Sequence, residues 1–319
     1  TAVGNSALQN NTTASNNVAV GNGALLANTT GTQNTAVGAY ALDANTTSHN
    51  NTAVGYNALG AMGGSGGSGG NTAVGSAAGD AITTGIFNVI MGSGAATDLT
   101  TGSRNTFVGT GAGQNITTGD ENVAIGDNCL VTGTDTNRNV GVGHDVLEAC
   151  TGDHNTAIGH QAMKTNTSGV TNAALGINAL YANTTGDSNT GVGPDAGQSV
   201  TTGDNNTFLG HDAGRSNSPS GNITTGSNNV VLGNDAVQNL YCQDTSISSS
   251  DSRDKTDITD FTKGLDWIKA LRPVTYRWDR RTWYGTDEEP YGTPDGSKKR
   301  NKLHIGFLAQ EALEVEKAN

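Results

Sequence analysis

The sequence predicts a mostly β chain: a repetitive β-solenoid or β-roll of about 14 coils of 17 residues, followed by a small α+β module. One glycine returns fourteen times, and ten of its thirteen intervals are 17 residues long. An aliphatic residue or methionine always precedes it, and asparagine stands four residues before it in every complete copy. Such a period is typical of stacked repeats, none of which can bury a core alone. The repeat glycines are Gly4, Gly21, Gly38, Gly55, Gly75, Gly92, Gly109, Gly126, Gly143, Gly159, Gly176, Gly193, Gly210 and Gly233.

The consensus Asn-Thr-Ala-Val-Gly predicts one short strand in each coil. Valine and threonine at alternating positions suit a pleated chain, whose side chains point alternately to opposite faces. We expect the aliphatic residue before each glycine to form a continuous inner stripe. The small residues on the opposite face would then make close contact between chains in a homotrimer; they are Ala19, Ala36, Ala53, Ala124 and Ala157. Coils about 4.8 Å apart give a rod roughly 65 Å long.

The recurrent asparagine, from Asn17 to Asn229, predicts a ladder of side-chain amides that form hydrogen bonds along the rod.

Two insertions interrupt the period, at residues 60–70 and about 217–221. Both are rich in glycine or serine, which predicts surface excursions, and loops on a rigid scaffold often carry recognition.

Charge excludes several function classes. Residues 1–240 hold 4 Lys and Arg against 15 Asp and Glu, whereas residues 241–319 hold 13 against 14. An acidic rod does not bind nucleic acid by charge, and no apolar run approaches the roughly 18 residues of a membrane helix. We therefore expect neither nucleic-acid binding nor membrane insertion.

The cysteines and histidines predict no cofactor and no metal site. Cys129 takes the small-residue position three after the repeat glycine, which predicts a small buried side chain. Cys150 and Cys242 belong to no ligand motif. Histidine directly follows the repeat glycine three times, a pattern that indicates exposed variable positions; these residues are His144, His160 and His211.

The repeat ends near residue 240, and the predicted domains are 1–240 for the solenoid, 241–249 for a linker and 250–319 for a separate module. All three tryptophans lie in the last part of the chain, which indicates a core of its own. The predicted elements, in order, are a helix over 262–271, a strand Val274–Trp278, a loop over 286–301, a strand Leu303–Leu308 and a helix from Ala309 onward.

Three motifs in this module resemble the endosialidase-type intramolecular chaperone, a self-cleaving C-terminal module of phage tail spikes and fibres. They are Ser250-Asp251-Ser252-Arg253-Asp254-Lys255-Thr256-Asp257-Ile258, followed by Gly264-Leu265, then Leu271-Arg272-Pro273-Val274-Thr275-Tyr276-Arg277-Trp278, and His304-Ile305-Gly306-Phe307-Leu308-Ala309-Gln310-Glu311. The repeats are more loosely similar to the head repeats of trimeric autotransporter adhesins. The resemblance implies a module that brings three chains into register and then cuts itself off.

The same resemblance assigns the cleavage chemistry. Ser250 matches the family's nucleophile and Lys255 its base, so the cut would fall between Ser249 and Ser250. Asp251 and Arg253 match supporting positions that orient these groups. An amine held in a partly desolvated site can accept the serine proton, as in other Ser-Lys arrangements. The implied activity is autoproteolysis in cis, with no external substrate.

These observations together predict a structural and receptor-binding fibre of a phage or prophage tail, located in the virion. Its partners would be two further copies of itself and a host cell-surface receptor, a glycan or a surface protein. Three alternatives stay open: a trimeric adhesin on a bacterial cell surface, a polysaccharide-depolymerising tail spike, and an ice-binding solenoid suggested by paired threonines such as Thr184-Thr185. Glu121 and Glu148 are the only glutamates before residue 241, which disfavours the carboxylate pair of a glycosidase.

Overall fold

The structure is a computed structural model that describes residues 1–63, 67, 69–238, 271–277, 293–298, 301, 304–306, 308, 311 and 314. Its contacts divide the chain into two compact units, Thr1–Tyr241 and Cys242–Asn319. Among the described residues, no helix is both long enough and apolar enough to cross a membrane.

The first unit is a parallel β-solenoid with one strand per coil. Its fourteen strands follow one another in chain order in a single sheet, and neighbours pair in parallel. The strands are β1 Ala2–Val3, β2 Val18–Val20, β3 Thr35–Val37, β4 Thr52–Val54, β5 Thr72–Val74, β6 Val89–Met91, β7 Thr106–Val108, β8 Val123–Ile125, β9 Val140–Val142, β10 Thr156–Ile158, β11 Ala173–Leu175, β12 Thr190–Val192, β13 Thr207–Leu209 and β14 Val230–Leu232. The predicted mostly β fold with a repetitive solenoid is therefore confirmed.

Strand register follows the repeat even where the period changes. Val18 pairs with Thr35, 17 residues on, and Thr156 pairs with Val140 across a 16-residue coil. The two insertions lie between strands that still align, since Thr52 pairs with Thr72 and Thr207 with Val230. Extra residues are accommodated outside the sheet, which keeps the strand positions equivalent along the rod.

The predicted orientation of the strands is wrong. The central residue of each strand from β2 to β14 points into the core, and Ala36 and Ala53 are fully buried. The aliphatic residue before the repeat glycine points outward instead; Val37 is 36% exposed and Leu175 is 50% exposed. The alanine face thus belongs to the interior of a single chain and is not available for contact between chains.

Core packing explains why the small residue lies inside. The residue four after the repeat glycine also points into the coil, and it is usually leucine where the strand centre is alanine, as with Leu42 and Ala36. Where the strand centre is phenylalanine, this position is glycine. A Cβ on Gly113 would lie 2.8 Å from the Phe107 ring, so the aromatic ring takes the space that leucine fills elsewhere. Because interiors are close-packed, the two inward positions share one volume.

The predicted asparagine ladder is confirmed. In coil after coil, the backbone N–H of one ladder asparagine donates to the side-chain oxygen of the previous one, from Asn34 on Asn17 to Asn229 on Asn206. The side-chain amide also donates to a backbone carbonyl of the following coil; for example, Asn105 Nδ2 lies 2.8 Å from the Gly119 oxygen. These buried amides satisfy backbone groups at the corner where each coil enters its strand.

Replacing Asn105 with alanine is expected to lower the free energy of unfolding by about 2 to 5 kcal/mol. The change leaves Gly119 O without its donor and Asn122 N without its acceptor, both in a buried setting. Urea unfolding followed by circular dichroism measures the effect. Thr118→Ala, at an exposed position on the same coil, is the control and should stay within about 0.5 kcal/mol. Equal effects of the two substitutions would contradict a structural role for the ladder.

In the second unit the described residues form an antiparallel pair, β15 Val274–Tyr276 and β16 His304–Gly306. Both lie within the predicted strands. Glu311 and Glu314 are helical, in the segment where a helix was predicted from Ala309 onward.

Candidate functional surfaces and the predicted cleavage site

The predicted cleavage residues lie outside the described residues. This applies to Ser249, Ser250, Asp251, Arg253 and Lys255 alike. Their assignment therefore rests on their place in the first motif.

The other two motifs meet in the second unit. Val274 pairs with Gly306 and Tyr276 with His304, so the strand of the second motif aligns with the strand of the third. His304 lies 28 positions after Tyr276 in the chain. Backbone pairing explains why two short motifs so far apart occur together.

An ion pair makes a second connection between these motifs. Arg272 donates from Nε and Nη2 to the two carboxylate oxygens of Glu311, at 3.1 and 2.5 Å. Such a fork-to-fork pair is geometrically specific. Hydrogen bonding to Arg272 lowers the pKa of Glu311, and the same pair raises the pKa of Arg272. Both side chains are exposed, so the pair contributes orientation more than stability.

On the solenoid, the outward side chains of β2–β14 form one continuous surface, here called the strand face. Thirteen strands contribute two outward side chains each, 26 in all, and none of them is charged. The column next to the repeat glycine is entirely Val, Ile, Leu or Met; the other column is Thr, Val or Ala. In an acidic unit, an uncharged strip of this length is a marked departure from the rest of the surface.

The strand face is on the order of 65 Å long and 10 Å wide, or roughly 650 Å². The largest apolar patch on a typical monomer is about 300–600 Å², and larger patches mark interaction sites. The strand face is therefore the main candidate interaction surface of the solenoid.

The described cysteines are buried and chemically quiet. Cys129 and Cys150 are both fully buried and free. Burial raises the pKa of the Cys129 thiol to about 12 and that of Cys150 to about 11, so neither is a nucleophile at neutral pH. Cys150 also accepts from the side-chain amide of Asn166, and it thus takes the place of an asparagine in a second inner column. The prediction of a small buried side chain at Cys129 is confirmed.

The three histidines that follow a repeat glycine are exposed, as predicted. His144 and His160 stack on successive coils with ring centroids 5.5 Å apart. His211 lies with Asp195 and Asp212 in a group whose ligand atoms could approach one ion. However, Arg215 Nη1 lies 2.7 Å from Asp212 Oδ1 and 3.6 Å from Asp195 Oδ2, so a guanidinium already neutralises these carboxylates.

The sequence reasoning missed two surfaces. One is the strand face itself, which was expected in the core. The other is an exposed pair of aromatic rings, Tyr40 and Tyr56, with centroids 6.1 Å apart. Their 16-residue separation is one less than the period, which places them on successive coils at adjacent corner positions. The 16-residue spacing could therefore have indicated from the sequence that the two rings are neighbours.

Residues 250–318 match a family model described as Peptidase_S74, chaperone of endosialidase. The match begins at Ser250 and includes all three motifs. It spans 69 of the 319 residues and none of the solenoid. No curated protein and no solved structure matches the chain.

Proposed function

We propose that this chain is a fibre segment of a phage or prophage tail that assembles as a homotrimer under its own C-terminal chaperone and attaches to a host surface. The observation that carries the proposal is the order of the two units: a repetitive parallel solenoid is followed directly by a segment that matches the endosialidase chaperone. That combination is typical of a tail fibre or spike, and the location is accordingly the virion.

The repetitive strand face gives the chaperone a physical task. Each coil offers nearly the same outward Thr or Val, so chains that associate through these columns can slip by a whole coil at little local cost. A non-repetitive module at one end removes that ambiguity by bringing the ends of three chains together first. Pairing that is distant in sequence is also slow to form, which increases the time available for misassembly.

Self-association is assigned to the strand face. It has no charge to desolvate, and its area of roughly 650 Å² approaches the 800 Å² or so that each partner contributes to a standard interface. The pattern of exposed β-branched side chains on a regular sheet also favours close packing against an identical surface. This assignment replaces the alanine face, which the structure places in the core.

Val108→Asp is expected to dissociate the trimer while leaving each solenoid folded. Val108 points outward and is half-buried in the single chain, so aspartate there remains solvated in the monomer. In the trimer the carboxylate would be buried without a partner, at a cost of several kcal/mol, on the order of 3 to 5. Sedimentation velocity of residues 1–319 should change from trimer to monomer, with the circular dichroism spectrum unchanged.

Two matched variants separate loss of the interface from the effect of added charge and from unfolding of the coil. Thr118→Asp adds the same charge at an exposed position away from the strands and should remain trimeric. Phe107→Asp, one residue from Val108 but fully buried, should unfold the coil. A trimeric Val108→Asp protein would contradict the assignment of the interface.

In this proposal the chaperone also cleaves the chain between Ser249 and Ser250, with Ser250 as nucleophile, Lys255 as base and Asp251 and Arg253 in support. Removal of the module after assembly would leave a kinetically trapped fibre.

The alternative of a polysaccharide-depolymerising tail spike is less well supported. Of the two glutamates of the solenoid, Glu121 is bound by Arg138 at 2.8 Å and Glu148 lies 3.0 Å from Lys164. Neither is free to act in a carboxylate pair of the glycosidase type.

A further inference from the structure

Residues 1–240 contain a single lysine, and it lies between two carboxylates. Lys164 Nζ is 2.7 Å from Asp145 Oδ2 and 3.0 Å from Glu148 Oε2. Asp145 and Glu148 precede the repeat glycine Gly159, whereas Lys164 follows it, so the contact joins two successive coils. We call Asp145, Glu148 and Lys164 the lysine bridge.

The lysine bridge spans the shortest coil of the solenoid. Gly143 and Gly159 are 16 residues apart, and every other interval between repeat glycines is 17 residues or longer. Strands β9 and β10 nevertheless pair in parallel, with Thr156 opposite Val140. The single lysine of the solenoid therefore connects the two coils between which the repeat loses a residue.

The groups of the lysine bridge are held in fixed positions and are largely shielded from water. The side chain of Asp145 is 12% exposed and that of Lys164 is 25% exposed. Glu148 Oε2 is buried. Asp145 Oδ1 lies 3.4 Å from His144 Nδ1, and Gln161 Nε2 donates to Asp145 Oδ2 at 3.3 Å. These contacts fix the orientation of the Asp145 carboxyl group, with Oδ2 facing the amine.

We propose that Lys164 and Asp145 condense to an isopeptide bond between the two coils, with Glu148 as the proton carrier. A bond forms between Lys164 Nζ and Asp145 Cγ, and the bond between Cγ and Oδ2 breaks. One ammonium proton stays on the amide nitrogen, one passes to Oδ2, and one reaches the same oxygen through Glu148. Oδ2 leaves as water, and Glu148 returns to its carboxylate. The reaction needs no oxidant and takes up no net proton.

The reaction starts from an ion pair, which makes it slow. Hydrogen bonding to Lys164 lowers the pKa of Asp145, and hydrogen bonding to Asp145 raises the pKa of Lys164. A proton must therefore cross the 2.7 Å hydrogen bond from Nζ to Oδ2 before the amine can attack. Well-oriented neighbouring groups react with effective molarities of about 10⁵ M or more, which offsets this cost. Condensation also removes two charges whose hydration is incomplete.

Peptide mapping of the full chain by mass spectrometry tests the bond. Arg138, Lys164 and Arg215 are consecutive cutting sites for trypsin, so an unmodified, denatured chain yields peptides 139–164 and 165–215. An isopeptide bond blocks the cut at Lys164. The wild type should yield one peptide, 139–215, that is lighter than its sequence by one water. The share of this peptide should rise as the protein ages, and fragmentation should place the bond at Asp145.

Three variants isolate the chemistry. Lys164→Arg keeps the charge but removes the nucleophilic amine, so it should show no loss of water and should be cut after position 164. Glu148→Gln removes the proton carrier and should slow formation of the bond by about a hundredfold or more. Glu121→Gln is the control, because Glu121 is also paired with a cation, Arg138 at 2.8 Å, and this variant should form the bond at the wild-type rate.

Several outcomes would overturn the inference. A wild-type chain that is cut after Lys164 and shows no loss of water, both fresh and aged, would exclude the bond. Loss of water that persists in Lys164→Arg would place the reaction elsewhere in the chain. A bond to Glu148, or formation at the wild-type rate in Glu148→Gln, would contradict the assigned roles. Trimer assembly and cleavage near Ser250 are measured separately, so the proposed function does not depend on this result.

Discussion

Gly109→Ala is expected to lower the free energy of unfolding by more than about 3 kcal/mol, because it combines backbone strain with a clash in a close-packed rod. Gly109 has φ +137°, a conformation that side chains rarely adopt. A Cβ there would lie 2.2 Å from the carbonyl oxygen of Gly126 on the next coil. Since the obstacle is backbone and not a flexible side chain, the two coils must separate locally.

Gly94→Ala is the matched control for this prediction. Gly94 also has positive φ, at +64°, but no atom lies within 4 Å of a Cβ placed there. Ala77 already adopts φ +53° at the equivalent position of the previous coil. The cost should therefore be about 1 kcal/mol. Thermal unfolding at one fixed protein concentration compares the two, since assembly affects stability. Similar losses would mean that contact between successive glycines does not limit the packing of coils.

Ser250→Ala and Lys255→Ala are each expected to abolish self-cleavage while leaving trimer assembly intact. In the proposed reaction the Ser250 hydroxyl attacks the carbonyl carbon of Ser249, Lys255 takes the hydroxyl proton, and the peptide bond is replaced by an ester. Water then hydrolyses the ester and releases Ser250 with a free amine. Alanine at 250 removes the attacking oxygen, and alanine at 255 removes the group that activates it.

Mass spectrometry and sedimentation together test this separation of roles. The wild type should yield a fragment that begins at Ser250, whereas both variants should stay whole and sediment as the same oligomer. Ser249→Ala is the control, because it changes the neighbouring hydroxyl but keeps the attacked carbonyl, and it should still be cleaved. An intact wild-type chain would remove the protease role and leave the chaperone role to be judged by assembly alone.

The sequence located the C-terminal motifs along the chain but did not show which residues contact each other in the folded protein. The three C-terminal motifs could be recognised because each holds several specific residues in order, and the strands Val274–Tyr276 and His304–Gly306 lie inside the predicted ones. The edge-to-face contact of Tyr40 and Tyr56 was not predicted, because it forms only when two successive coils stack.

The sequence by itself determined the period, the parallel solenoid and the asparagine ladder, because each follows from one residue type that returns at one spacing. It also contained the orientation of the strands. Asn34 and Ala36 are two residues apart, so in an extended chain they point to the same side, and an inner ladder requires inner alanines. Hydrophobicity alone favoured valine inside and led to the wrong face.

The asparagine spacing and the hydrophobicity thus pointed to opposite faces; only the tertiary structure decided between them, and the reason is volume. A single coil is narrow, and the leucine four residues after the repeat glycine, such as Leu42, already fills its interior. The strand centre opposite must then be small, and phenylalanine fits there only where this position is glycine, as with Phe107 and Gly113. Close packing inside one coil therefore places valine outside, on a surface that a second chain can cover.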